Sequence, residues 1–315
     1  MDNRKIVVAG GGVLGSQIAF QSAYSGFDVT VWLRSESFIP ETTRKLDNLV
    51  NVYNDCISQM ASPGGRSLEI WCNGISDGDD FDDEDCREKV LSARRSIKLE
   101  TDLEKAVKDA YLVIESIPEN VDIKSSFFKM LAPLLPEETV VVTSSSTLLP
   151  SKFAKDSGRP ELFLALHFSN SVWRNNIAEI MSHAGTSNKA FTTILEFAKA
   201  IHMVPIPVRK ENKGYLLNAL LMPFLFSGLD MVVKGVSDAE SIDKAWTIGT
   251  KSPRGPFQII DKVGLKPVYD VVLNYTKIPS FIAPYDFKGI AKLLKQYLDQ
   301  GKKGMEFGEG FYKYE

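Results

Sequence analysis

The chain has 315 residues, of which 44% are hydrophobic and 24% charged, and its net charge is −3 at neutral pH. These values are those of an ordinary globular protein with two domains or one large domain, and they give no support to nucleic-acid binding, which leaves a basic footprint. Three cysteines without a close pair argue against a disulfide framework and a metal site such as zinc, and no apolar run is long enough to span a membrane. The first strand begins by Lys5, which leaves no room for a targeting peptide, so a cytoplasmic location is expected.

Residues 6–19 pass from an apolar segment through a glycine-rich turn into helical spacing. This strand–turn–helix context is the one in which a GxGxxG pattern binds the pyrophosphate of a dinucleotide. The first glycine permits the turn, the second leaves the backbone open to phosphate, and the third lets helix and strand pack closely, while the helix N-terminus offers free N–H groups. The residues expected to hold the cofactor here are Gly10, Gly12, Val13, Leu14 and Gly15. The alternative is a glycine-rich turn that binds no ligand.

The segment 29–33 predicts a second strand whose end bears on the choice of cofactor. Folds that bind NAD place Asp or Glu near this point to accept a hydrogen bond from the ribose 2′-hydroxyl. Leu33 and Arg34 stand there instead. Arg34 would either pair with a 2′-phosphate through its planar guanidinium or be a solvated loop arginine. The first interpretation predicts that NADP(H) is favoured.

Residues 40–96 interrupt the alternation of strands and helices and predict an inserted helical hairpin, with helices at 42–60 and about 83–94. The other predicted strands lie at 111–115, 140–143, 162–167, 177–181 and 204–208. The other predicted helices lie at 103–108, after 118–120, and at 189–201, 215–233, 239–248 and 290–300. We therefore expect an α/β Rossmann-like, doubly wound domain over residues 1–209, followed by a smaller all-α domain over residues 210–315.

Three polar clusters lie at predicted strand ends, where ligands of such sheets bind: residues 115–119, 144–147 and 167–170. His167 has the residue type of a general base for a hydroxyl proton, because histidine ordinarily titrates near neutral pH. Glu179 lies in the next apolar strand, where a solvated acid is not expected, and would orient the imidazole. The alternative for His167 is a hydrogen-bonded histidine of the core.

Several motifs recur in an order and spacing that point to one family. They are Gly10-x-Gly12-x-x-Gly15, Glu115-Ser116-Ile117-Pro118-Glu119-Asn120, the Ser/Thr run at 144–147, His167-Phe168-x-Asn170 with Glu179, Gly214-Tyr215-Leu216-Leu217-Asn218, Gly255-Pro256-Phe257, Asp261-x-Val263-Gly264-Leu265 and Gly308-x-Gly310-Phe311-Tyr312. In these motifs the chain resembles the short-chain L-3-hydroxyacyl-CoA dehydrogenases, including 3-hydroxybutyryl-CoA dehydrogenases, over nearly its whole length.

The resemblance implies an oxidoreductase that interconverts a 3-hydroxyacyl-CoA thioester and its 3-oxoacyl form, with NAD(H) as the family default. It implies that His167 is the general base, that Glu179 orients it, and that Ser146 and Asn218 contact the substrate oxygen. The further positions that it implies for the cofactor site are Glu119, Lys124, Ser144 and Asn170. Together with the apolar helix at 216–233, it also implies a homodimer formed mainly through residues 214–315.

Some positions depart from the family pattern. Ser144 replaces the asparagine that touches the cofactor, Ser171 replaces a proline, and the helix at 42–60 carries Asp and Asn where lysines meet the CoA phosphates. These departures leave room for a dehydrogenase of a small free hydroxy acid, similar to gulonate or carnitine, in which Arg174 or Arg254 would hold a carboxylate. A non-catalytic nucleotide-binding protein is the alternative from another class.

Overall fold

One mixed sheet of eight strands organises the first of two units, Met1–Leu216 and Leu217–Glu315, in the computed structural model of the chain. The structure describes residues 4–79 and 81–314. The strands are β1 (Lys5–Ala9), β2 (Asp28–Trp32), β3 (Lys98–Glu100), β4 (Ala110–Glu115), β5 (Val140–Thr143), β6 (Phe163–Phe168), β7 (Ile177–Met181) and β8 (Val204–Val208). The predicted α/β class, Rossmann-like with a helical second part, is confirmed.

The order of the strands is β3-β2-β1-β4-β5-β6-β7-β8, and every neighbouring pair is parallel except β6 with β7. The central strands read as continuous apolar runs because helices cover both faces of a parallel sheet. The helices of this unit are α1 (Val13–Tyr24), α2 (Ile39–Ala61), α3 (Asp83–Ser96), α4 (Leu103–Val107), α5 (Val121–Leu131) and α6 (Asn188–Ala200). The sequence missed β3, which has only three residues and none of them fully buried.

The inserted hairpin consists of α2 and α3, which pack against each other beside α1. One face of α2 is buried, with Leu46, Leu49, Tyr53 and Ile57 in the core, as the helical spacing predicted. The Asp82 side chain accepts a hydrogen bond from the Asp85 N–H and so begins α3, because a side-chain acceptor at this point satisfies a free helical donor.

The second unit contains the helices α7 (Leu217–Val233), α8 (Ala239–Thr250), α9 (Pro256–Val263), α10 (Leu265–Tyr275) and α11 (Phe287–Asp299). Two of these, α9 and α10, were not predicted, and α7 begins later than predicted because Tyr215 adopts a φ of 54° that a helix does not accept. No helix of the described segments is long and apolar enough to cross a membrane.

Two buried carboxylates explain most of the family motifs in the second unit as structural. Asp243 accepts hydrogen bonds from the backbone N–H groups of Phe257 and Gln258 and so caps α9. Asp261 accepts hydrogen bonds from the backbone N–H groups of Phe311 and Tyr312, which fastens the chain end to α9. These motifs therefore stabilise the helical unit through satisfied buried charges.

The turn between β1 and α1 depends on two glycines for different reasons. Gly10 has a φ of +119°, which side-chain-bearing residues rarely adopt. A Cβ on Gly15 would lie under 3.0 Å from the carbonyl oxygen of Gly10, so the helix can approach the strand only without a side chain there. A Cβ on Gly12, in contrast, would meet no atom within 4 Å and would point into open space.

We therefore expect Gly15→Ala to lower the stability of this unit by about 2–3 kcal/mol, because the new methyl group meets backbone that cannot yield. This corresponds to a fall in Tm of roughly 5–10 °C for a unit of this size. Gly12→Ala is the matched control and should leave Tm unchanged within error. Thermal unfolding followed by circular dichroism checks both variants, and equal Tm values for the two would contradict this account of the turn.

Candidate active site

His167 and Glu179 face each other across the one antiparallel strand pair of the sheet. The β6–β7 register pairs the two residues directly, and His167 Nδ1 lies 2.9 Å from Glu179 Oε2. Both side chains are buried, with 6% and 1% of their surfaces exposed. A carboxylate at this distance accepts the Nδ1 proton, so the imidazole presents Nε2 as its proton acceptor. The structure thus brings together the two residues that the sequence suggested as a base and its orienting acid.

The second carboxylate oxygen of Glu179 is also bonded. Its Oε1 accepts a hydrogen bond of 2.8 Å from the backbone N–H of Leu216. The preceding residue, Tyr215, stacks its ring on the His167 imidazole at 4.6 Å between centroids. Sequence reasoning missed Tyr215, which it placed in a helix; its only signal was its place inside the Gly214-to-Asn218 motif.

The serine-rich turn follows β5 at the same edge of the sheet. Thr143 of β5 pairs with Ala165 of β6 in parallel register, so Ser146 and His167 both lie at the carboxyl ends of adjacent strands. Ser146 is half-buried in the middle of the turn. Asn218, the fourth residue expected to act on substrate, is the second residue of α7 in the other unit.

Glu119 anchors that turn and stays ionised. Its Oε1 accepts hydrogen bonds from Ser145 Oγ at 2.5 Å and from the N–H and hydroxyl of Thr147 at 3.1 and 2.7 Å. Burial alone would raise the pKa of this carboxyl, but these bonds and the charge of Lys124 hold the pKa below its usual value.

Lys124 lies fully buried between two carboxylates. Its Nζ is 2.5 Å from Glu115 Oε1 and 3.3 Å from Glu119 Oε2, and it donates to the Ile117 carbonyl at 3.2 Å. Glu115 in turn accepts a bond of 2.7 Å from Thr143 Oγ1. A buried cation requires such paired surroundings. The sequence pointed to the polar cluster but not to the central position of Glu115.

A cavity of about 850 Å³ opens over the glycine turn and the ends of β1 and β2. Its wall includes most of the residues expected to hold the dinucleotide: Gly10, Gly12, Val13, Leu14, Leu33 and Arg34. Gly15 lies beneath the turn, packed against Gly10. The bare Gly12 position fits a phosphate group, because nothing fills the space in front of its backbone.

The remaining expected cofactor positions are not part of that wall as the described residues form it. Glu119 and Lys124 form the ion-pair cluster described above. Ser144 is buried, and its N–H donates to the Glu115 carbonyl. Asn170 is exposed, and its carbonyl accepts a bond from Asn175. All four follow the carboxyl ends of β4, β5 or β6.

The sequence showed no carboxylate at the end of β2, but the structure brings one to the cavity from another element. Leu33 is buried and its N–H donates to the Glu100 carbonyl, while the exposed Arg34 guanidinium lies 4.6 Å from the Phe38 ring centroid. A carboxylate does line the cavity, however, because α2 supplies Glu41. Glu41 is paired with Lys45 at 2.7 Å, and the hydrogen bond and charge of this lysine lower the pKa of the carboxyl.

Two residues that follow the histidine have structural partners. Ser171 adopts a φ of 59°, and its N–H donates to Gln17 Oε1 at 2.8 Å. Proline can do neither. Arg174, expected in one alternative to hold a substrate carboxylate, instead donates to the Glu69 carbonyl and lies 3.7 Å from Cys56 Sγ. Its guanidinium thus contacts the hairpin insertion, and these contacts do not support a role in holding a substrate carboxylate.

Comparison with known proteins covers the whole chain. The family model described as the NAD-binding domain of 3-hydroxyacyl-CoA dehydrogenase matches residues 5–212, and the model of the C-terminal domain matches residues 214–314. The human mitochondrial hydroxyacyl-coenzyme A dehydrogenase is 28% identical over 99% of this chain and 91% of its own length. A probable 3-hydroxybutyryl-CoA dehydrogenase of Deinococcus radiodurans is 29% identical over 98% of this chain and 100% of its own.

Two solved structures add to these relatives. A diketoreductase described as acting on dicarbonyl compounds is 39% identical, covers 100% of both chains and superposes with a TM-score of 0.84. FadB2 of M. tuberculosis is 26% identical, covers 99% of both chains and has a TM-score of 0.78. The chain therefore belongs to the 3-hydroxyacyl-CoA dehydrogenase family of NAD-binding oxidoreductases.

Proposed function

We propose that the chain interconverts a short-chain 3-hydroxyacyl-CoA and the corresponding 3-oxoacyl-CoA. The observation that carries this proposal is the buried His167–Glu179 pair at the carboxyl edge of the sheet, with Nδ1 2.9 Å from Oε2. Relatives of this chain are named for the same reaction class. The intact candidate set of Ser146, His167, Glu179 and Asn218 argues against a protein that only binds a nucleotide.

In the oxidative direction, Nε2 of His167 takes the proton of the substrate hydroxyl. Glu179 holds the Nδ1 proton and stabilises the imidazolium that forms. A nicotinamide cofactor bound in the cavity would supply the hydride chemistry of the reaction. Ser146 and Asn218 donate hydrogen bonds to the substrate oxygen as it gains carbonyl or alkoxide character. In the reductive direction, His167 returns the proton to that oxygen.

The residues that would hold the cofactor fall into two groups. Backbone of the β1–α1 turn, with the helix N-terminus behind it, suits the pyrophosphate. The cluster of Glu119 and Lys124, with Ser144 and Asn170, would hold the nicotinamide half. Because Lys124 is fully buried between carboxylates, it would orient Glu119 rather than present a free charge.

A second candidate is the reduction of a small 3-oxo compound without CoA. Two observations favour it: α2 carries Asp47, Asn48, Asn51 and Asn54 where family lysines meet CoA phosphates, and the 39% identical relative is a diketoreductase. The two candidates share the chemistry of His167 and differ only in the handle of the substrate. Steady-state assays with acetoacetyl-CoA and with free 3-oxo acids and esters, each with both nicotinamides, separate them by kcat/KM.

For the cofactor, we infer a preference for NADP(H), although NAD(H) is the family default. Leu33 offers no acceptor to a ribose 2′-hydroxyl, and Arg34 lines the cavity with an exposed guanidinium. Lys45 lines the same wall and offsets the charge of Glu41. The wall holds these two cations and two carboxylates, Glu41 and Asp122. Because Lys45 is already paired with Glu41, the inferred preference depends on Arg34, whose guanidinium matches a 2′-phosphate.

A homodimer formed mainly through residues 214–315 is also proposed. The helix α7 exposes apolar side chains in the single chain, with Leu220 76% and Leu217 37% exposed. Neighbouring apolar surface occurs on α8, at Trp246 and Ile248. Exposed apolar patches of this kind mark protein interfaces.

The role of the His167–Glu179 pair, here called the dyad, is tested by His167→Ala and Glu179→Gln. We expect each to lower kcat by about 10²–10⁴-fold, the usual contribution of general-base assistance, while the dissociation constant for the dinucleotide changes little. His183→Ala is the matched control, since His183 follows β7 near the start of β6, at the opposite edge of the sheet, and contacts the Pro160 carbonyl. Turnover within a factor of two of the parent would remove the dyad from the mechanism.

Cofactor preference is tested by Arg34→Ala. Loss of a charge-assisted contact should lower the ratio of kcat/KM for NADPH to that for NADH by roughly 10- to 100-fold. Arg44→Ala is the control, because Arg44 is exposed on the following helix, α2, and is not part of the cavity wall. A parent that prefers NADH, or an unchanged ratio in Arg34→Ala, would show that Arg34 is only a surface residue.

The dimer is tested by sedimentation at micromolar concentration. We expect the parent to be a dimer and Leu220→Asp to be a monomer, because a carboxylate cannot be buried unpaired in an apolar interface. Leu68→Asp is the control, since Leu68 is fully exposed in the first unit, outside residues 214–315. A monomeric parent contradicts the proposal.

A further inference from the structure

The aromatic side chain of Tyr215 contacts both the histidine and the serine turn of the site. Only 1% of its surface is exposed. Its ring stacks on the His167 imidazole at 4.6 Å between centroids and 22° between planes. Its hydroxyl donates a hydrogen bond of 2.6 Å to the backbone carbonyl of Ser145.

The Ser145 carbonyl, to which Tyr215 donates, determines the orientation of the backbone at Ser146. The Ser145 carbonyl and the Ser146 nitrogen belong to one planar peptide unit, so fixing the oxygen fixes where the next residue starts. The other side of the turn is fixed by Glu119, which accepts bonds from Ser145 Oγ and Thr147. The residues on both sides of Ser146 are therefore held by hydrogen bonds, Ser145 and Thr147 by Glu119 and the Ser145 carbonyl by Tyr215.

The backbone of Tyr215 carries strain that supports a special role. Its φ of 54° is unusual for a bulky residue. Asn212 holds this conformation, since its side chain donates to the Tyr215 carbonyl at 2.6 Å. The same turn aims the next N–H, that of Leu216, at Glu179 Oε1. A glycine would fit the dihedral angle with less strain and would lose the ring and hydroxyl contacts.

We propose that Tyr215 is a positioning residue that holds the His167 imidazole and Ser146 in their working relation to one substrate oxygen. The inference rests on the proposed function, in which these two residues act on that oxygen. Burial, with the nearby carboxylates of Glu119 and Glu179, raises the pKa of Tyr215 well above its usual value. The phenol therefore remains a hydrogen-bond donor over the working range of pH.

The first test separates the hydroxyl from the ring. Tyr215→Phe keeps the stacking and removes the bond to Ser145, and we expect kcat to fall about 10-fold with KM within about twofold. Tyr215→Leu removes both contacts and should lower kcat about 100-fold, so that Phe restores most of what Leu loses. The matched control is Tyr111→Phe, which removes a phenol bond with Arg4 near the start of β4, at the sheet edge opposite the site, and should leave kcat unchanged. Equal kcat values for the parent and Tyr215→Phe overturn the proposal.

The second test asks whether the hydroxyl acts through Ser146. In a double-mutant cycle, Tyr215→Phe should lower kcat in the parent and change it less than about twofold in Ser146→Ala, because the group that it positions is then absent. A merely structural role would lower kcat by the same factor in both backgrounds, and that result overturns the proposal. Tm measured for all four proteins distinguishes lost stability from lost positioning.

A third measurement does not depend on turnover. Crystal structures of the parent and of Tyr215→Phe should differ in the position of Ser146 Oγ by roughly 0.5 Å or more, the tolerance within which working groups are held. An unmoved Ser146 overturns the proposal. If the parent reduces no 3-oxo substrate, the proposed function fails, and this measurement still decides whether Tyr215 positions the turn.

Discussion

The arrangement of the site depends on how the buried carboxylate of Glu179 is satisfied. An ionised group removed from water must find partners for both of its oxygens. One oxygen accepts the Nδ1 proton of His167 and the other accepts the N–H of Leu216. The first bond determines which imidazole nitrogen faces substrate. The second bonds the pair to the backbone of Leu216, the last residue of the first unit.

The topology of the sheet makes this pairing possible. In a parallel pair of strands the hydrogen bonds are slanted, whereas in an antiparallel pair two residues lie directly opposite each other. Reversing β7 against β6 brings His167 and Glu179 into direct register. The parallel pairing of β5 with β6 then brings the serine turn to the same edge. The antiparallel pairing of β7 with β6 therefore places the acid beside the base. The carboxyl ends of the parallel strands remain available to ligands.

The sequence predicted the elements with strong periodicity and the residues with distinctive chemistry. The strands at 140–143, 177–181 and 204–208 have the predicted bounds, and His167 and Glu179 do meet. Contacts between residues far apart in the sequence could not be predicted where the residue types carry no distinctive chemistry. Glu41 reaches the cofactor cavity from α2. Tyr215 departs from helical geometry because its bond to Ser145, 70 residues away, and the local bond from Asn212 outweigh the helical preference of its apolar segment. Helix α9 was missed because it is short and begins with proline.

The long segment between α2 and α3, to which the sequence assigned no role, supports the loop between His167 and Glu179. Gly74 donates its N–H to the Trp173 carbonyl at 2.9 Å, and Gln21 holds the Gly74 carbonyl at 2.7 Å. Arg174 binds the same segment at Glu69. A Cβ on Gly74 would meet the backbone of Trp173 at under 3.0 Å, so the two pieces of backbone can approach this closely only at glycine. This segment therefore supports the loop that joins His167 and Glu179. Arg174 bonds this segment and Ser171 bonds Gln17 of α1, so structural roles account for both residues without a different substrate.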